Sequence, residues 1–144
     1  MRLFSQDTKV EALKQAPLFE GLARKDFVAL ARLTEDVEVP AGTVLCTEGE
    51  TGREFFVIVD GTVEVEAKGK KLASLGAGSF VGEIALLEQV PRMATVTAKT
   101  PLRFFVLTRE SFKRLVEDNP SVERKIMRAL ALRLLELSRD PTMA

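Results

Sequence analysis

The chain has 144 residues, 46% apolar and 29% charged, with 21 basic and 21 acidic side chains and no net charge. These values describe one globular domain rather than a disordered tail, and the balanced charge draws the molecule as a whole neither to nucleic acid nor to an anionic membrane. There is no histidine, which removes Ser-His-Asp and Cys-His catalysis and histidine-based metal sites; the one cysteine, Cys46, rules out an internal disulfide and is expected to be a small hydrophobe at a strand end.

The N-terminal stretch Met1–Thr8 is polar and lacks the apolar core of a secretory signal. No apolar run approaches the roughly 20 residues of a membrane span, so a cytoplasmic protein is expected. Helical spacing begins at Lys9. Leu13, Ala16, Phe19, Leu22, Phe27, Leu30 and Leu33 recur on one face, with a break at Pro17 and Gly21. Asp26 stands early in the second piece, where a carboxylate suits the positive end of a helix.

From Glu35 the pattern changes to strands. Turn signals are dense at Pro40-Ala41-Gly42, Glu48-Gly49-Glu50, Asp60-Gly61, Lys68-Gly69-Lys70 and Gly76-Ala77-Gly78. Phe55-Phe56-Val57-Ile58-Val59 is continuously apolar and predicts a central strand, whereas Val63-Glu64-Val65-Glu66 alternates and predicts one wet face. Thr95–Ala98 and Leu102–Leu107 complete the set. Short strands at this spacing argue for a barrel or a sandwich.

Helical spacing returns over residues 109–139. Thr108 or Ser111 is positioned to cap the first piece, and Asn119-Pro120 interrupts it. A second piece from Ser121 carries Val122, Ile126, Ala129, Leu130, Leu134 and Leu137 as an apolar stripe, widened by Leu132 and Leu135, and Asp140-Pro141 ends it. The stripe is open to two readings: docked on the strands, or the seam of a homodimer.

One stretch is odd for a plain barrel. Gly82 precedes the helix-forming run Glu83-Ile84-Ala85-Leu86-Leu87, Pro91 stops the excursion, and Arg92 re-enters the strands. A glycine before one helical turn offers free N–H groups to an anion, and arginine suits a two-point grip on phosphate. Glycine, turn and arginine together read as a phosphate cradle with a positive clamp. Glu83 fits it only as an acceptor of sugar hydroxyl hydrogen bonds.

With those residues in view, Phe80–Ala98 resembles the phosphate-binding cassette of cyclic-nucleotide-binding domains, found in regulatory subunits of cAMP-dependent protein kinase, cyclic-nucleotide-gated channels and catabolite activator proteins. The family pattern F-G-E-[LI]-A-L, about six residues, then P-R-x-A-[TS], stands here as V-G-E-I-A-L-L-E-Q-V-P-R-M-A-T. Upstream, Pro40–Leu45, Glu48-Gly49-Glu50, Phe55–Ile58 and Gly61–Val65 are similar to the family's early strands, and Ala16–Leu22 to its leading helical segment.

The resemblance implies an α+β fold: an antiparallel β-roll, jelly-roll-like in the manner of a double-stranded β-helix, between an N-terminal helical segment and C-terminal helices. Residues 1–144 would be one domain, with helices over 9–34, the roll over 35–108, the cassette at 80–98 and helices over 109–139. It also implies roles. Glu83 would accept the ribose 2′-hydroxyl and Gly82 would present its backbone there. Arg92 would bind the exocyclic phosphate oxygen, backbone N–H groups of Ala85, Met93 and Ala94 would complete the cage, and Ile84 belongs to the same ligand-binding run. Val65 and Leu75 would wall the base. With no Trp or Tyr in the chain, Arg133 and Arg139 are the lid candidates. No metal and no cofactor are implied beyond the ligand itself, which is cAMP ahead of cGMP, because Met93 brings no hydroxyl to a guanine.

The expected function is a non-enzymatic cyclic-nucleotide sensor. Ligand capture would draw Glu83–Leu87 inward, bring Leu86 against Phe112 and Leu115, and swing the last helix over the base. Its partner would be a second copy through the C-terminal helix, or an effector protein. With no helix-turn-helix after the last helix, direct DNA reading is not expected. The competing reading is an interaction module that keeps this fold without a ligand, motivated by Val81, Met93 and the missing lid aromatic.

Overall fold

The computed structural model describes residues 3–138. Its helices are α1 (Gln6–Leu13), α2 (Arg24–Arg32), α3 (Arg109–Asp118) and α4 (Pro120–Leu137). Its strands are β1 (Glu35–Val39), β2 (Val44–Cys46), β3 (Glu54–Asp60), β4 (Val63–Ala67), β5 (Lys70–Leu75), β6 (Phe80–Val81), β7 (Thr95–Ala98) and β8 (Leu102–Thr108). Single 3-10 turns stand at Pro17–Phe19 and Glu83–Leu86. The strands form two four-stranded sheets, ordered β1-β8-β3-β6 and β2-β7-β4-β5, with every pairing antiparallel. This is the antiparallel β-roll expected, flanked by helices at both ends of the chain.

The first helix starts at Gln6 rather than Lys9. Ser5 is its cap, its side chain accepting the Thr8 N–H at 3.1 Å. That short cap precedes the first apolar position, so apolar spacing alone does not find it. Asp26 lies in the first turn of α2 and accepts the Ala23 N–H at 2.9 Å. Thr108, not Ser111, caps α3, accepting the Ser111 N–H at 3.2 Å. Asn119 separates α3 from α4. The helix end read at Asp140-Pro141 lies outside the described residues.

Why Phe55–Val59 is continuously apolar is clear from its two faces. Side chains alternate across a strand. On one face of β3 and β8, Phe55, Val57, Phe105 and Leu107 meet Leu13, Leu18, Phe19, Leu30, Phe112 and Ile126 from the helices. On the other, Phe56, Ile58, Leu102 and Phe104 fill the space between the sheets with Val63, Val96 and Ala98. β4 pairs with β7 and β5, and its alternation follows: Val63 is buried and Glu66 exposed. The β4–β5 hairpin turns at Lys68 and Gly69, with φ of 53° and 76°. Two successive positive-φ residues are what a tight primed turn requires. β5 is an edge strand of its sheet, and Lys70, Lys71 and Leu72 on it are exposed.

A buried ion pair fastens α1 to the edge of the first sheet. Lys9 Nζ lies 2.6 Å from Asp36 Oδ1, their side chains 10% and 5% exposed. The contact is ionic rather than an aligned hydrogen bond, while Asp36 Oδ2 accepts the Phe4 N–H at 2.7 Å. Removing one partner of a buried pair leaves an uncompensated charge. Lys9→Met is therefore expected to cost about 3 kcal/mol of stability in urea unfolding, with Lys9→Met/Asp36→Leu regaining most of it; additive losses in the double variant would refute the pairing.

Candidate ligand site in the cassette

β6 delivers the cassette. Phe80 and Val81 pair with Val57 and Phe56, so Gly82 emerges beside the start of β3. Gly82 has φ of +88° and begins the turn Glu83–Leu86. A side chain there would overlap the Arg92 guanidinium and come within 2.7 Å of the Glu54 carbonyl oxygen. Both the positive φ and the close approach therefore require glycine.

The returning limb runs beside the loop after β2. The Arg92 N–H donates to Glu50 O at 2.8 Å, the Gly49 N–H to Arg92 O at 2.9 Å and the Gly52 N–H to Val90 O at 3.3 Å. Thr51 and Pro91 form an isolated bridge. These bonds aim Arg92 into a slot. Its Nη2 donates to Glu54 O at 2.8 Å, and its Cζ stands 5.6 Å from the centroid of the Phe56 ring. Gly52 closes the other side, where a Cβ would overlap the guanidinium.

Among the described residues, Arg92 forms no ion pair with Glu83, Glu88 or any other carboxylate. Its charge is balanced by a neutral carbonyl and a ring face alone, and the side chain is only half-exposed. A cation so placed keeps most of its capacity to attract an anion. The N–H groups of Met93 and Ala94 also donate to no acceptor among the described residues. The Ala85 N–H is in use, donating to Gly82 O at 3.0 Å.

Glu83 is engaged elsewhere. Its Oε2 accepts the Leu18 N–H at 2.8 Å, across 65 positions of sequence. Leu18 lies in the 3-10 turn Pro17–Phe19, whose leading N–H groups have no partner within the turn. Glu83 supplies one, and its other oxygen remains available. Of the remaining residues read as ligand-binding, Ile84 is 54% exposed and Met93 89% exposed. Val65 and Leu75 are half-buried against the core between the sheets. Arg133 is exposed on α4, one turn beyond the last buried position, Ala129; Arg139 lies outside the described residues.

Three residues of this neighbourhood carry no signal in the sequence reading: Leu18, Gly52 and Arg109. Gly52 follows a recognised turn but looks like more of the same loop. Arg109 looks like an ordinary first helical residue. Leu86 shares the buried cluster with Phe112, with Leu115 packed against it. Beyond it, Leu86, Leu87, Phe112, Val116, Ile126 and Met127 line a cleft of about 460 Å³ between the cassette and the C-terminal helices. Cys46 faces the core between the sheets, where burial pushes its thiol pKa up and the nearby Arg92 charge partly opposes this. No group of three or more metal-ligating side chains occurs among the described residues.

A family model described as the cyclic nucleotide-binding domain matches residues 36–119, and the chain belongs to that family. It is 40% identical over 106 residues to a cAMP-dependent protein kinase regulatory subunit of Yarrowia lipolytica, covering 72% of this chain and 28% of that protein. It is 37% identical over 110 residues to a cyclic nucleotide-gated potassium channel of Rhizobium etli, covering 76% of this chain and 31% of the channel. The match thus spans under a third of either relative. Among solved structures, the N-terminal domain of a transcriptional regulator from Streptomyces coelicolor superposes with a TM-score of 0.80 at 28% identity, covering 89% of this chain and 93% of that one.

The Glu83–Leu18 bond has a direct signature. An amide hydrogen-bonded to a carboxylate resonates downfield, so the Leu18 amide proton is expected downfield of its neighbours and should move upfield by several tenths of a ppm in Glu83→Gln, where the charge-assisted bond is weakened. A Leu18 amide shift indifferent to the substitution would exclude the bond.

Proposed function

We propose that this chain is a non-catalytic sensor of cyclic nucleotides, with cAMP favoured over cGMP, acting in the cytoplasm. The observation that carries the proposal is Arg92. It is held between Gly52 and Gly82, over the Phe56 ring, with one carbonyl partner and no carboxylate among the described residues. A cyclic phosphodiester supplies the missing negative charge. Its exocyclic oxygens would meet the guanidinium and the N–H groups of Met93 and Ala94.

The ribose 2′-hydroxyl would donate to the Glu83 oxygen that Leu18 does not use. The base would lie along the inner face of the second sheet, by Val65 and Leu75. Its purine would find no hydroxyl at Met93, which is the reason for placing cAMP first; the similar kinase regulatory subunit is itself named cAMP-dependent. No helix among the described residues is long and apolar enough to cross a membrane.

Coupling to the C-terminal helices is part of the proposal. Leu86 of the cassette and Phe112 of α3 share one buried cluster. The signal would pass through that packing, with the cleft beside it giving α4 room to move and Asn119 acting as the joint. A ligand achieves this only by binding the moved state more tightly. A second copy or an effector would read the result from the apolar face of α4.

One observation favours the alternative, an interaction module with no ligand: Glu83 already has a protein partner in Leu18. Thermal unfolding with added nucleotide separates the two. cAMP at about 100 times its Kd should raise native stability by about 2.7 kcal/mol, with a smaller rise for cGMP at equal concentration. No rise with either would favour the interaction module. Arg92→Ala should weaken cAMP binding by about 30- to 150-fold in calorimetry, since a charge-assisted bond to phosphate is worth about 2–3 kcal/mol. Undiminished affinity would remove Arg92 as the clamp.

A further inference from the structure

Arg109 is a second guanidinium with no carboxylate partner among the described residues. It is the first residue of α3, directly after β8. Its side chain spans three backbone carbonyls. Nε donates to Ala85 O at 2.7 Å, and Nη2 donates to Gly52 O at 2.9 Å and to Glu88 O at 2.8 Å. Its own N–H donates to Arg53 O at 2.8 Å. Ala85 and Glu88 belong to the cassette. Gly52 and Arg53 belong to the loop that walls Arg92.

A guanidinium is planar and its donors point in fixed directions. Satisfying three carbonyls at once therefore fixes the two loops relative to each other and to the first turn of α3. We infer that Arg109 is a positioning residue that works as a strut: it sets the width of the Arg92 slot from behind and passes displacement of the cassette into α3. It touches no part of the proposed ligand position. Charge is not its contribution, because its acceptors are neutral; geometry is. Without it, cassette movement would be absorbed at the Thr108–Arg109 junction. This inference rests on the proposed sensor function.

The test compares wild type, Arg109→Gln and Arg109→Lys by methyl NMR during titration with cAMP. The Ala85 methyl reports the cassette and the Ile126 methyl reports α4, where Ile126 is 3% exposed. In wild type both are expected to shift. In Arg109→Gln, affinity should fall about tenfold and, at saturation, Ala85 should still shift while Ile126 keeps its ligand-free position. Arg109→Lys should resemble Arg109→Gln, since one ammonium nitrogen cannot span acceptors reached from two guanidinium nitrogens.

An Arg109→Lys protein with wild-type affinity and a full Ile126 shift would overturn the strut and leave the sensor function standing. A wild type in which neither methyl responds to cAMP would overturn the sensor function, and the inference with it. Should the variants fail to fold, hydrogen exchange of the wild type decides. Amides of the cassette and of the first turn of α3 are then expected to open as one unit, with equal opening free energies. Cassette amides that open more than tenfold as often as those of α3 would overturn the strut.

Discussion

The pairing of β3 with β8 is the constraint on which the rest of the molecule depends. Both strands are apolar on both faces, and both faces are used. One carries the helices and the other fills the roll. The register Glu54↔Thr108 sets one end of that pair. From that end everything at the site departs. The Glu54 carbonyl receives Arg92, β6 alongside β3 releases Gly82, and the chain leaving β8 becomes Arg109. A one-residue slip in this pairing would exchange the two faces of a strand and move all three at once.

Two arginines then divide the work at that end. Arg92 faces into the roll with its charge only partly balanced, and Arg109 faces the backbone from behind, its Nε and Nη2 donors shared among three carbonyls. The contrast is in the acceptors. Three carbonyls in a fixed arrangement hold a guanidinium still, whereas one carbonyl and a ring leave it free to turn toward a stronger acceptor. That difference, rather than the two residues' exposure, separates the arginine suited to a ligand from the one suited to the frame.

The fold was largely legible before any coordinates, because its signals are local. Turn glycines, the alternation of β4 and the break at Asn119-Pro120 all act within a few residues. The candidate site was proposed from the sequence for a similar reason: Gly82, Glu83 and Arg92 lie in one short stretch whose order is distinctive. What stayed hidden depends on distant partners. Glu83 meets the Leu18 amide, and a backbone amide leaves no trace in residue type. Arg109 binds three carbonyls, which every residue has. Gly52 matters because a guanidinium occupies the space where its side chain would be, and only the folded slot shows this.

The hairpin at Lys68-Gly69 has a consequence for how the domain keeps company with others. It leaves β5 as an open edge, a row of backbone donors and acceptors onto which a neighbouring strand could add. Lys70 and Lys71 stand exposed along that edge, and the β4–β5 register shifts between Val65 and Glu66. Desolvating two ammonium groups opposes strand addition, and the irregular register deprives a newcomer of a flat template. The same hairpin that closes the sheet so tightly thus keeps its open edge from recruiting strangers.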